Sequence, residues 1–193
     1  VTIELRPLHR TAMALADEVV RDIVPDDLYR ATPCPDWDLA ALLAHMIGQH
    51  HGFARAVRDG DAPRSSYAPV PFTAPAWSAS LELVLDAFAA AEPEATVTEV
   101  ELSPTPLPLH RIVGAQLLDT VAHTWDVAQA LGRQFEPSGK LLDTITVLAT
   151  TIPDSARGPG AAFGPVLPAH GGAWQRTLAL LGRAATKPRR SNP

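Results

Sequence analysis

"LHRIVGAQLLDTVAHTWDVAQALG", residues 109–132, decides the fold class. Ile112, Leu117, Leu118, Val121, Trp125, Ala128 and Leu131 gather on one side of a 3.6-residue period, as in a helix with one buried face. Gly132 follows, a residue suited to the left-handed turn that ends many helices. Asp119, His123 and Asp126 lie along one stripe of this helix, and Asp119 and His123 border the apolar face rather than oppose it. A carboxylate one turn before an imidazole has two readings. It is an exposed pair worth about 0.3 kcal/mol to the helix, or it sets an oxygen and a nitrogen against one ion inside a bundle. Spacing leaves both open.

Working outward, three more long segments carry the same period. The first runs from about Leu8 to Ile23, before Pro25. The second follows "TPCPDW": Asp38 is placed to cap it, Trp37 and Leu42 stand where a hydrophobic staple would, and Gly60 ends it. The third is "ASLELVLDAFAAAE", with Ser78 as its expected cap and Pro93 beyond its end. Between the second and third, "DAPRSSYAPVPFTAP" carries four prolines and reads as a loop; the stretch from Asp61 to Ala76 is long enough to cover a site mouth. "TVTEVEL", residues 96–102, alternates apolar and polar residues and suggests a short strand. After the fourth helix come "KLLDTITVLATTI" as a fifth, a Gly/Pro-rich turn from Arg157 to Gly172, and "AWQRTLALLGR" as a short sixth stopped by Gly182. Helices joined by loops, with at most a small extended segment, imply an all-α bundle. A single domain over residues 1–185 is expected, with 186–193 as a flexible basic tail.

The chain of 193 residues is 46% hydrophobic and 19% charged, a globular composition rather than a disordered one. Its net charge of -5 gives no reason to expect a nucleic-acid partner. No stretch has the roughly 18 consecutive apolar residues of a membrane span, and the opening "VTIELRPLHR" lacks the apolar run of a secretory signal. A lone cysteine, Cys34, cannot form an intrachain disulfide, which suits a reducing compartment. The expected location is cytoplasmic.

Common catalytic strings are missing: there is no GxSxG, HExxH or GxxxxGK[ST]. Histidine and carboxylate on helices are what remain. His45 sits among Leu42, Leu43, Met46 and Ile47, as a hydrogen-bonded core residue or an inward ligand. Gln49, one turn on, borders the same side, whereas His50 and His51 leave it. His9, His110 and His170 have no spaced partners and read as surface residues. Cys34, between Pro33 and Pro35, reads as a small packing residue.

"TPCPDW…LLAHMIG" and "LLDTVAHTWDVAQALG", with the closing "FGPVLP…QRTLALLGR", resemble the DinB-like superfamily. Within it the resemblance is to actinobacterial metal-binding proteins related to the N-terminal domain of mycothiol-dependent maleylpyruvate isomerase. It implies a four-helix bundle with short additional helices. It implies one divalent metal, zinc or nickel, held by His45, Asp119 and His123. Gln49 borders the same side by its spacing, and Asp126, one turn from His123, reads either as a supporting carboxylate or as a surface cap or inter-helix contact. Where the isomerase carries glutamate this chain has Asp119, a shorter arm, which leaves the metal's identity open. Three protein donors leave a coordination position for water or substrate, the pattern of a catalytic zinc site. The implied function is transfer or isomerisation of a small electrophilic metabolite, dependent on a small thiol with mycothiol as cosubstrate. The alternative is a non-catalytic metal or small-molecule binder, or a member that has lost the metal. A homodimer is compatible with either.

Overall fold

The computed structural model describes residues 4–158 and 161–184. The proposed tail at 186–193 lies outside the described residues, as do residues 159–160 of the Gly/Pro-rich turn. The chain gathers into two compact units, one ending at Phe135 and the other beginning at Glu136.

The first unit holds four long helices, α1 (Arg6–Val20), α2 (Leu39–Asp59), α3 (Ala74–Ala90) and α4 (Leu109–Ala130). Helices α1 and α2 each pack against both α3 and α4, which closes a four-helix bundle. Its core includes Met13 from α1, Leu43 and Ile47 from α2, Trp77 and Val84 from α3, and Ile112 from α4, all almost inaccessible to solvent. The all-α class therefore stands, and among the described residues only a two-strand antiparallel pair is added: β1 (Thr96–Val97) and β2 (Leu107–Pro108), in register Thr96 to Pro108.

Helix α2 begins and ends where its sequence indicates. The Asp38 carboxylate accepts the Ala41 N–H at 2.8 Å, and Gly60 closes the helix at φ 88°. Helix α4 likewise stops before Gly132, at φ 68°. Other boundaries differ. Helix α1 starts at Arg6 with Pro7 in its first turn, and ends at Val20 rather than Ile23. Ser78 is not the cap of α3. The helix begins five residues earlier, with Thr73 Oγ1 accepting the Ala76 N–H at 3.1 Å and Pro75 where no intrahelical donor is needed. The expected strand over 96–102 is cut to two residues, because the Glu99 carboxylate accepts the N–H groups of Glu101 and Leu102 and turns the chain.

The proline-rich loop is docked rather than loose. The Val70 N–H donates to Ala44 O at 3.0 Å, beside His45, and Tyr67 lies against Gly52 so closely that an added Cβ would run into its ring. Gly48 admits the backbone of Ala68 in the same way.

In the second unit, α5 (Gly139–Thr150) packs on α6 (Ala173–Leu180), and Thr146 and Thr177 share a hydroxyl hydrogen bond of 2.7 Å. Gly182, at φ 73°, ends α6. Among the described residues, no helix is long and apolar enough to cross a membrane.

Candidate metal centre

His45 projects from the second turn of α2, while Asp119 and His123 lie one turn apart on α4, which packs against it. The bundle brings the three together: one donor atom from each lies within 4.8 Å of the other two. His123 Nε2 is 3.3 Å from Asp119 Oδ1, and the His45 and His123 rings meet nearly edge to face at 5.1 Å. The Trp37 ring, at the entry to α2, lies 4.7 Å from that of His45 and limits how it can turn. His123 is buried; His45 and Asp119 are half-buried and border the interior.

Charge is arranged around His123. Its burial alone would lower the imidazole pKa, but the Asp119 charge and hydrogen bonds to Asp119, Asp126 and Cys34 raise it well above its ordinary value. Burial works to raise the Asp119 pKa, yet the facing His123 brings it below the usual carboxylate range. His45 goes the other way: desolvation outweighs the attraction of Asp119 and lowers it, favouring the neutral ring with a lone pair to give.

Asp126, on the same stripe, is fully buried, and its Oδ2 lies 3.0 Å from His123 Nδ1. A surface cap is thereby excluded. A carboxylate on the far nitrogen of a ligand histidine fixes the tautomer and orientation of the ring. Gln49 is turned elsewhere, its amide nitrogen 3.1 Å from Glu101 Oε2.

The family follows from the sequence itself. The model of the mycothiol maleylpyruvate isomerase N-terminal domain matches residues 9–128, well over half of the chain and all of the residues just described. The chain belongs to this family. Uncharacterised proteins from two strains of Mycobacterium tuberculosis are 25% identical to it over 162 residues, covering 80% of this chain and 83% of theirs. No solved structure matches at a significant level.

One histidine of this family member is not where its lack of spaced partners suggested, and a second lies in the core away from the site. His9 is buried, not on the surface, with Nε2 on Gln116 Oε1 and its ring 4.8 Å from Phe88. His50 is buried as well, its Nδ1 2.9 Å from Ser80 Oγ. His110 and His170 are exposed, as expected.

Sequence reasoning also missed Cys34. Its thiol donates to Asp126 Oδ2 at 3.3 Å and lies 4.0 Å from His123 Nδ1. "TPCPDW" reads as a helix entry and gives no sign that its cysteine reaches α4, 89 residues on.

Proposed function

We propose that this chain holds one divalent cation, zinc or nickel, through His45, Asp119 and His123, and is a thiol-dependent transferase or isomerase for a small electrophilic metabolite. The carrying observation is the convergence of these three donors from two helices within 4.8 Å, with His123 Nδ1 engaged by Asp126. The donor set fits such an ion in kind. Two imidazoles and one carboxylate suit zinc or nickel better than calcium or magnesium, which favour all-oxygen shells.

The chain's own groups do the preparing. The Asp126 carboxylate accepts a hydrogen bond from His123 Nδ1, so Nε2 faces Asp119 and His45. Without a cation, a proton on Nε2 separates that nitrogen from the Asp119 carboxylate, and the ion would take its place. His45, kept neutral by burial, offers its lone pair at neutral pH. Asp119 supplies the one negative charge of the set. When bound, the cation would act as a Lewis acid that makes a water or a small thiol nucleophilic near neutrality. Membership of the mycothiol maleylpyruvate isomerase N-terminal family supports a mycothiol-type thiol as cosubstrate.

Elemental analysis of protein purified without a metal-binding tag tests the site. With Cys34 replaced by serine, so that only this set is read, one equivalent of zinc or nickel is expected, falling sharply when His123→Ala or Asp119→Ala is added. Metal content unchanged by both substitutions would sink the assignment. Metal-loaded protein is then incubated with mycothiol and a panel of electrophiles. Conjugated or isomerised product supports the enzyme, whereas stoichiometric metal without product across the panel favours a binding protein.

A further inference from the structure

A second set of donors lies on the opposite edge of the His123 ring. Cys34 Sγ, His123 Nδ1 and Asp126 Oδ2 are separated by 3.3 Å (sulfur to oxygen), 3.0 Å (nitrogen to oxygen) and 4.0 Å (sulfur to nitrogen). Around a tetrahedral zinc-like ion, N and O donors stand about 3.4 Å apart, and sulfur about 3.6 Å from either. Each observed separation is within about 0.5 Å of that arrangement, so an ion could be seated with little movement.

The loop carrying the cysteine is built to hold it. The Cys34 N–H donates to Thr32 Oγ1 at 3.1 Å, and the Thr32 hydroxyl in turn reaches Trp37 O at 2.8 Å. Pro33 and Pro35 restrict the backbone on either side, and Asp36 takes a left-handed turn at φ 68° to enter α2. Asp126 is inaccessible and His123 nearly so, while Cys34 is half-buried and leaves an approach from its own side. A thiolate with an imidazole and one carboxylate favours soft or borderline ions.

We infer that Cys34, His123 and Asp126 form a second, thiophilic cation site, which shares the His123 imidazole with the set that includes His45 and Asp119. Binding releases the thiol proton and the proton that Nδ1 shares with Asp126. In a chain carrying only this second ion, Nε2 keeps its hydrogen toward Asp119. Residence of both ions makes His123 a bridging imidazolate. The second site needs neither His45 nor Asp119, so it stands or falls apart from the function proposed above.

Cadmium is the probe, because a sulfur-to-cadmium bond has its own ultraviolet charge-transfer band. Reduced, metal-free full-length protein is titrated with Cd²⁺, and the alkylation rate of Cys34 is followed in parallel. The band should saturate at one thiolate per chain and alkylation should slow by at least about tenfold. Both effects should persist in the double variant His45→Ala/Asp119→Ala and disappear in Cys34→Ser. Asp126→Asn should weaken the binding about tenfold or more. Absence of the band, or an unchanged alkylation rate at saturating cadmium, overturns the inference. So does loss of the band in the double variant, which would mean that the cysteine serves the first set. Zinc uptake that requires His45 and Asp119 while leaving Cys34 freely alkylated would support the first site and reject the second.

Discussion

His123 faces a carboxylate at each ring nitrogen, Asp119 at Nε2 and Asp126 at Nδ1. The two contacts have different consequences. Asp119 shares the space an ion would enter, while Asp126 sets which nitrogen is free to face it. Asp126→Asn keeps the shape but removes the charge that steadies the ring. In a Cys34→Ser background, which silences the thiol, zinc affinity should fall by about 10- to 100-fold. Calorimetric titration checks this, and unchanged affinity would show that Asp126 does not position the ligand. Part of this arrangement was legible in the sequence, because the one-turn spacing of Asp119 and His123 survives any packing of the helix. His45 was ambiguous by itself, and only the family resemblance joined it to the other two. Cys34 was not legible: a loop residue has no periodicity to say which distant side chain it meets. His9 is a different miss. It lies on the stripe of Met13, Ala16 and Val20, all buried on α1, so the helical period carried the information that the lack of a spaced partner concealed.

Among the elements, α2 matters most, because it carries His45 and receives the proline-rich loop. Its ends were readable since caps are local chemistry: Asp38 satisfies an N–H three residues on, and Gly60 adopts a conformation that side chains resist. The start of α3 was misread for a related reason. Thr73 and Ser78 are both capping types, and Pro75 was counted among the four prolines of the loop, although the first turn of a helix tolerates it. Asp38→Ala should cost about 1 kcal/mol, seen as a lower denaturation midpoint at unchanged slope. A larger effect is expected at Gly52, where a methyl group would run into the Tyr67 ring. Gly52→Ala should destabilise by about 1–3 kcal/mol through overpacking. It should also speed proteolysis within residues 61–73, as the loop loses its seat. A Gly52→Ala protein with wild-type stability and an intact loop would show that Tyr67 yields without cost.

For the molecule as a whole, the buried histidines make stability depend on pH. Burial lowers the His9 pKa from 6.5 to about 4 and that of His50 to about 3. Both are neutral in the fold at pH 7, His9 bonded to Gln116 and His50 to Ser80. Below pH 6.5 the unfolded chain takes up protons that the folded chain refuses, so acid favours unfolding. The loss begins near 6.5 and for His9 is complete only below about 4, where the folded ring also protonates. A depression of this size corresponds to about 3 kcal/mol from His9, a substantial part of the 5–15 kcal/mol typical of a domain. Glu99 works against this trend over part of the range, because burial raises its pKa and folding retains its proton. The contribution of His9 is therefore best isolated by difference. His9→Gln keeps an amide donor near the position of Nε2 and cannot titrate. Urea unfolding of both proteins between pH 7.5 and 4, in matched buffers with chelator, should give wild-type stability that falls more steeply below about pH 6.5. The difference between the two proteins should shift by about 3 kcal/mol in favour of the variant across that range. Parallel stability curves would mean that His9 has the same proton affinity folded and unfolded, and that the packing of α1 against α4 around it does not exclude the charge.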